Sequence, residues 1–170
     1  WLPAFPTLAR LAPAATGMSL STCMLVLPYH HPILVAEEAA FLDIVCGGRF
    51  TLGVSAGWAL DEFELLGLNR RERVGRFEES VKLIARLWSE DRVTTAGRYF
   101  RVDDATLALR PLQQPRPPMW LGGSAIRSVE RAATLADTSL GDSWVASSHL
   151  TEAVIVDQTQ AFSDRLAVLG

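Results

Sequence analysis

Three observations predict an α/β protein built on a parallel sheet. Short apolar runs rich in β-branched and aromatic residues alternate along the chain with longer runs of helical periodicity. Glycine or proline marks most of the junctions between them, and four runs of strand type are each followed by one of helix type. Strands that alternate with helices favour a parallel sheet.

Two closures of such a sheet fit the pattern. One is an open doubly wound sheet, and the other is a (β/α)₈ barrel, which typically takes about 250 residues. With 170 residues this chain would be only part of a barrel, and a start inside a predicted helix and an end directly after another favour that interpretation. We therefore expect a partial barrel of about four βα units.

The first half of the chain is predicted to contain a leading helix, two strands and three further helices. Proline and glycine set their bounds, because proline suits a first helical turn and glycine a helix end. We expect helices over residues 8–15, 33–46, 60–66 and about 74–89, and strands over residues 19–27 and 50–54. The faces expected to be buried carry Leu34, Ala39, Leu42 and Val45 in the second helix, and Phe77, Val81, Ile84, Ala85 and Trp88 in the last.

The second half begins with an insertion. Residues 93–95 and 99–102 flank Ala96-Gly97-Arg98 and predict a hairpin, after which four prolines in residues 110–118 predict an extended connector. A short strand over residues 119–121, a helix through Ala136, a strand near residues 138–140 and a final helix capped by Thr151 complete the chain.

Composition limits the class of protein. With 49% hydrophobic residues and a net charge of −3, residues 1–170 suffice for a single globular domain with a core. No apolar run reaches the roughly 18 residues of a membrane span, and no leader opens the sequence, so we expect a cytoplasmic protein. The basic residues are scattered without an aromatic ladder, which argues against nucleic acid.

Neither a disulfide framework nor a metal site is indicated. Cys23 and Cys46 lie in separate predicted elements without a Cys-x-x-Cys or nearby His spacing, so we expect both thiols to be reduced and buried. Asp103-Asp104 has no partner at metal-ligand spacing and is expected to serve a turn.

The loop after the strand at residues 50–54 is the most informative local feature. Gly53 and Gly57, with small side chains between them, allow the backbone to approach a flat ligand, and Trp58 offers a stacking or gating face. The alternative is a tight strand-to-helix turn with a half-buried tryptophan.

Two further positions have both a functional and a structural interpretation. Gly122-Gly123-Ser124 at a helix start suits a phosphate, because free backbone N–H groups and the helix dipole meet there, or it is only a helix cap. His30, just after a predicted strand, could be a proton donor or substrate contact, whereas His31 could only position the turn before Pro32. Arg73 and Arg76 could reach an anionic ligand, but an exposed salt-bridge network with neighbouring glutamates is the favoured role.

The order and spacing of many small motifs resemble the bacterial luciferase-like monooxygenase family. The match runs through nearly the whole chain, and its motifs are Pro28-Tyr29-His30-His31-Pro32, Gly47-Gly48-Arg49-Phe50, Ala56-Gly57-Trp58, Arg73, Arg76, Leu87-Trp88, Gln114-Pro115, Trp120 and Gly122-Gly123-Ser124. The Ala56-Gly57-Trp58 ladder looks most like the branch that uses coenzyme F420 rather than FMN.

The resemblance implies a fold, a reaction class and a set of site residues. The fold would be a (β/α)₈ barrel of which this chain supplies roughly the third to sixth strands, as a single luciferase-like domain whose N-terminal strands and C-terminal units are missing. The reaction would be hydride transfer between coenzyme F420 and a small organic substrate, with an FMNH2-dependent two-component monooxygenase as the alternative. The residues that match cofactor positions are Cys23 and Met24, on a bulge that often holds a non-prolyl cis peptide, then Ala56, Gly57, Trp58 and Asp61, and finally Gly122, Gly123 and Ser124 as the phosphate position.

The sequence departs from the family pattern in ways that limit these expectations. Cys23 replaces a commoner small residue, and Trp58 stands where some deazaflavin dehydrogenases have a catalytic acid, so no acid is assigned and His30 is the one weak candidate. The resemblance also implies a small-molecule substrate, a homodimer and, for flavin use, a separate reductase. A rival of another class is a non-catalytic cofactor-binding or structural fragment that needs a partner, since a half barrel leaves two sheet edges unpaired.

Overall fold

The computed structural model of the protein describes residues 2–169, and within them helices alternate with strands. In chain order the elements are α1 (Ala4–Leu11), β1 (Leu20–Ser21), β2 (Leu25–Val26), α2 (Pro32–Val45), β3 (Phe50–Ser55), α3 (Leu60–Leu65), α4 (Arg73–Ser89), β4 (Val93–Ala96), β5 (Arg101–Ala105), β6 (Met119–Gly122), α5 (Ile126–Leu135), β7 (Ser143–Val145) and α6 (Glu152–Leu169).

Five strands form one parallel sheet. β1 and β2 both pair with β3, β3 pairs with β6, and β6 pairs with β7. The parallel α/β sheet expected from the alternation of elements is therefore confirmed. β4 and β5 form a separate antiparallel hairpin, which confirms the predicted insertion.

β1 and β2 are two parts of one interrupted strand rather than the continuous run predicted over residues 19–27. From Leu20 to Leu25 the chain advances five residues, while the paired residues of β3 advance four, from Phe50 to Val54. One extra residue against the partner strand is the geometry of a β-bulge.

The two faces of the sheet differ in chemistry. The in-register pairs Leu52 with Met119 and Val54 with Leu121 are buried and belong to one hydrophobic core with α2, α4 and α5. The pairs Gly53 with Trp120 and Ser55 with Gly122 alternate with them and so face the opposite side. We call this second side the inner face.

Helices cover the apolar face. α4 buries Phe77, Val81, Ile84 and Trp88, as its period predicts, and the Trp88 indole Nε1–H donates to the Ala36 carbonyl of α2 at 2.9 Å. The expected face of α2 was partly wrong. Leu34 and Val45 are exposed, because the helix turns Val35, Ala36, Ala39 and Leu42 toward the core instead.

Two other sequence predictions are corrected. Residues 138–140 form a 3₁₀ turn rather than a strand, because the Asp137 carboxylate accepts the Ser139 amide and Gly141 takes a φ of +84°, and the strand follows at β7. Cys46 is buried as expected, and burial raises the pKa of its thiol, but Cys23 is exposed.

Buried carboxylates fix the amino ends of the strands. Asp142 receives a bidentate pair of bonds from the Arg116 guanidinium, at 2.9 and 2.7 Å, and accepts the amides of Met119 and Asp137. Asp43 fixes the start of β3 in the same way, because it accepts hydrogen bonds from the backbone amides of Phe50 and Gln113. Both ties hold the proline-rich connector, residues 110–118, against the sheet.

The hairpin is fixed to α4 by one more carboxylate. Glu79 accepts the backbone amides of Tyr99 and Phe100 at 2.7 to 3.2 Å, and Gly97 leaves the space that this carboxylate fills. Asp103 and Asp104 lie within β5 rather than in a turn, and Asp104 pairs with Arg92.

Among residues 2–169, no helix has the length and apolar character required to cross a membrane.

Candidate functional site

The carboxyl ends of four strands meet at one edge of the sheet. Ser55 of β3 lies between Val26 of β2 and Gly122 of β6, and Gly122 pairs with Val145 of β7. The loops that leave these four strands therefore begin side by side. In parallel α/β folds this is the edge at which ligands bind.

A buried threonine holds the bulge against β3. The Thr22 hydroxyl donates to the Gly53 carbonyl at 2.7 Å and accepts the Gly53 amide at 2.9 Å. A side chain at position 53 would begin 1.8 Å from the Thr22 carbonyl oxygen, so only glycine permits this approach. The glycine that the sequence placed in a strand interior thus marks a close backbone contact.

Met24 follows the bulge and lies on the inner face. Its sulfur is 3.1 Å from the point where a Cβ of Gly53 would stand, and its Cε is 2.9 Å from the corresponding point at Gly122. The expected cis peptide lies between Cys23 and Met24. Met24 thus forms an apolar floor across β3 and β6, with Cys23 exposed beside it.

The loop from Ala56 to Trp58 forms the next part of the edge. Gly57 has a φ of +76°, and a Cβ there would stand 2.6 Å from the Val26 side chain, so the loop packs closely onto β2. The Trp58 side chain is 84% exposed, which contradicts the half-buried alternative. Asp61 is exposed in the first turn of α3.

Gly122, Gly123 and Ser124 lead toward a helix, but α5 begins only at Ile126. Its N-cap residue is Ala125, which offers no side-chain acceptor, so Ser124 is not the helix cap. The first amides of a helix have no acceptor within the helix, and here no capping side chain takes their place. The loop therefore presents backbone donors and the positive end of the helix dipole, which suit an anion.

Three residues lie in the loop after β2. Desolvation lowers the pKa of His30, even though the residue retains solvent access. The His31 Nδ1 accepts the Ile33 amide at 3.4 Å, so this ring caps α2, in line with the structural interpretation. The Tyr29 hydroxyl donates to Glu62 at 2.9 Å, and desolvation, followed by that bond, raises the pKa of Tyr29 to about 12.

The other polar candidates lie in structural contacts. Arg76 pairs with Glu72 at 3.1 Å and lies over the Tyr99 ring, and Arg73 donates to the Arg70 carbonyl. Within the described part of the chain, no group of three His, Cys, Asp or Glu side chains is placed to hold a metal ion.

The structure brings Met24 and Gly122 into direct contact and places the loop at Ala56 and Gly57 on the neighbouring strand ends. The resemblance included Thr22 in the matched bulge and Ser55 in the matched loop, but sequence reasoning did not foresee the hydrogen bonds between Thr22 and Gly53 or the place of Trp120 on the inner face. It also missed Trp144 and Gln158, which donate to the Gly123 and Ser124 carbonyls, both at 2.8 Å. Only the glycine at position 53 gave a signal for any of these contacts, because the others join residues far apart in the chain.

A model of the family described as luciferase-like monooxygenase matches residues 2–161. The chain belongs to this family. Curated relatives include an F420-dependent glucose-6-phosphate dehydrogenase of Nakamurella multipartita, 36% identical over 74% of this chain and 37% of its own length. Another is an FMNH(2)-dependent dimethylsulfone monooxygenase of Pseudomonas putida, 34% identical over 62% of this chain and 30% of its own.

The luciferase-like fold is also seen in solved structures. The monooxygenase RslO1 from Streptomyces bottropensis superposes with a TM-score of 0.87 at 24% identity, and the match covers 98% of this chain and 50% of that one. The expectation of a partial barrel of the luciferase-like type is confirmed. This chain spans about a third of the two curated relatives and half of that structure.

Family membership narrows the cofactor to two chemistries without selecting one. The luciferase-like relatives include proteins named for F420 and proteins named for FMNH2. The residues on the inner face of this luciferase-like chain are of the types that suit either the deazaflavin or the flavin ring. Met24 supplies an apolar floor, and the loop before α5 supplies backbone donors of the kind that suit a phosphate.

Proposed function

We propose that this chain provides the cofactor-binding part of an oxidoreductase that transfers hydride between coenzyme F420 and a small organic substrate. The observation that most supports this proposal is the surface formed by Met24, Ser55 and Gly122, where two strand ends and the bulge meet on the inner face. The F420-dependent relative, 36% identical over 74% of this chain, supports the choice.

Each part of the site has a separate task in this proposal. Met24 and Cys23 support the ring from behind, and the Ala56, Gly57 and Trp58 loop lines its edge, with Trp58 available to stack. The loop of Gly122, Gly123 and Ser124 binds a phosphate through the Ser124 amide and the first amides of α5, since the Gly123 amide donates to the Val145 carbonyl. F420 supplies the hydride chemistry when bound, and the protein holds the ring against the substrate and excludes water.

Proton transfer is assigned to no strong candidate. His30 lies in the loop after β2, and its lowered pKa favours the neutral imidazole, which can accept a proton at neutral pH. Asp61 lies at the start of α3 and lines the substrate side of the loop in this proposal.

A fluorescence titration tests the proposal. The purified protein is titrated anaerobically with F420, oxidised FMN and reduced FMN in parallel, and saturable binding of F420 alone is expected. Gly122→Asp should abolish binding by adding charge and bulk, and Ser124→Asp should weaken it without meeting Met24. Ala108→Asp, which adds the same charge at an exposed position before the connector, is the matched control.

The titration also separates the rivals. Preference for reduced FMN would assign a two-component monooxygenase, supported by the FMNH(2)-dependent relative, and such an enzyme would need a separate flavin reductase. Binding of no cofactor would instead support a non-catalytic fragment that requires a partner.

A further inference from the structure

Two side chains from later elements hold the carbonyls of the loop before α5. The Trp144 Nε1–H of β7 donates to the Gly123 carbonyl at 2.8 Å, and the Gln158 Nε2–H of α6 donates to the Ser124 carbonyl at 2.8 Å. The carbonyls of two successive peptide groups are thereby held by side chains from two different elements.

The planarity of the peptide group determines where their amides point. Both peptide groups are trans, so each N–H points opposite to its own carbonyl. The Ser124 N–H therefore points away from Trp144, and the Ala125 N–H points away from Gln158. Neither amide donates to a backbone carbonyl among residues 2–169, so both are available as donors to an anion.

Steric limits keep the loop in that arrangement. A Cβ at Gly123 would stand 2.4 Å from the Ser128 Cβ of α5, so the backbone approaches the helix closely. The Trp144 ring is itself held against Phe162 of α6, with ring centroids 6.5 Å apart.

Gln158 carries a second sign of a ligand-related role. Its side chain is 7% exposed, yet within residues 2–169 no protein group donates to its Oε1. A buried amide with an unpartnered oxygen is costly, and an apolar side chain would pack at the same place without that cost. The structure therefore keeps glutamine here for its Nε2–H donor, which holds the Ser124 carbonyl.

We infer that Trp144 and Gln158 are positioning residues that aim the Ser124 and Ala125 amides at the phosphate of the bound cofactor. The inference rests on the proposed function, because it deepens the phosphate site of that proposal. Neither side chain touches the phosphate, and each acts through the carbonyl that it holds.

The test compares ligands with and without the phosphate; FMN and riboflavin differ in that group alone. FMN is compared with riboflavin, and F420 with its chromophore that lacks the phosphate-bearing tail, in the wild-type protein and in Trp144→Phe and Gln158→Met. Both substitutions keep most of the packing and remove the N–H donor. Each should weaken the phosphorylated ligand about tenfold and leave the phosphate-free ligand within about twofold.

Gln160→Met is the matched control, since Gln160 lies on the same helix, is exposed and bonds only to Asp164 within α6. It should change neither affinity. Equal loss for both ligands in Trp144→Phe and Gln158→Met would overturn the inference, because it would show a general packing role, and so would no loss.

The failures of the two proposals remain distinguishable. If the wild-type protein binds no cofactor, the proposed function fails and the inference with it. If the wild-type protein binds the cofactor but binds riboflavin and the F420 chromophore as tightly as their phosphorylated forms, the proposed function stands and the phosphate assignment is overturned.

Discussion

Thr22 shows how much a single side chain contributes to this edge of the sheet. Its hydroxyl replaces two backbone hydrogen bonds that the bulge would otherwise lose at Gly53. Because the residue is 3% exposed, water does not substitute for it. The position of Met24, and hence the floor of the candidate site, depends on this contact.

Replacing Thr22 with valine keeps the shape and removes both bonds. We expect the free energy of unfolding to fall by about 1–3 kcal/mol, because a buried amide and carbonyl lose their partner. Urea denaturation measures the loss. Ser80→Ala is the control, since the buried Ser80 hydroxyl has no hydrogen-bond partner among residues 2–169, and a similar loss there would contradict the role given to Thr22.

Tyr29 provides a spectroscopic prediction. Desolvation and the bond to Glu62 raise its pKa from 10.0 to about 12, so the folded state favours the neutral phenol. The stability from this group is fully present below pH 10 and is lost as the pH rises through about 12.

The measurement is an absorbance titration of tyrosinate in a Tyr99→Phe background, where Tyr29 is the remaining one of two tyrosines. Glu62→Gln should lower the midpoint toward 10.0, because it removes the carboxylate charge while an amide oxygen can still accept the bond. An unchanged midpoint would show that Glu62 has no part in the shift.

At the scale of elements, the buried Asp142 carboxylate accepts four hydrogen bonds that join three parts of the chain. It joins the start of β6, the 3₁₀ turn before β7 and the connector through Arg116. Asp142→Ala leaves the buried Arg116 guanidinium unpaired, and such losses are strongly destabilising, by about 3–5 kcal/mol.

Chemical denaturation checks this loss, and the cofactor affinity of the folded fraction should stay within about twofold, because the contact lies at the amino ends of the strands. Asp164→Ala, on the exposed surface of α6, is the matched control and should unfold like the wild type. A large loss of affinity in folded Asp142→Ala protein would contradict the separation of the two ends.

The elements differ in how well sequence predicts them. α4 and β3 were predicted nearly to the residue, because long periodic runs and glycine boundaries are local signals. The 3₁₀ turn at residues 138–140 was missed, because it depends on the Asp137 side chain and on the positive φ of Gly141. Leu34 of α2 is exposed because the helix is apolar on nearly all sides, so the elements packed against it, rather than its own sequence, determine which face is buried.

The candidate site was predictable only in its glycines and by resemblance. Gly53 and Gly122 mark close contacts that a strand or loop alone would not require. The partners that need them, Thr22, Met24 and Ser128, could not be assigned from spacing. Trp144 and Gln158 contact the loop across 21 and 34 residues of chain, a distance that only the folded sheet closes.

At the scale of the whole molecule, the open edges of the sheet lead to a prediction of assembly. β7 on one side and the interrupted strand β1–β2 on the other have outer edges that pair with no other strand among residues 2–169. Exposed edges promote pairing with a further strand, and in a preparation of residues 1–170 alone we predict that a second copy supplies it.

Mass measurement in solution should therefore give about twice the 18.6 kDa of one chain, with the dimer persisting on dilution. Light scattering over a range of concentrations would provide it. A stable monomer that remains in solution would rule out the homodimer.

The carboxylate ties and the candidate site lie at opposite ends of the same strands. Asp43 and Asp142 secure the amino ends, while the loops after β2, β3 and β6 are free of these contacts. Such a division makes the molecule tolerant of exchange at one end. Segments grafted from relatives after Val26 or Ser55 are expected to change the candidate site while the scaffold keeps its shape, as long as Gly57 keeps its close packing on Val26.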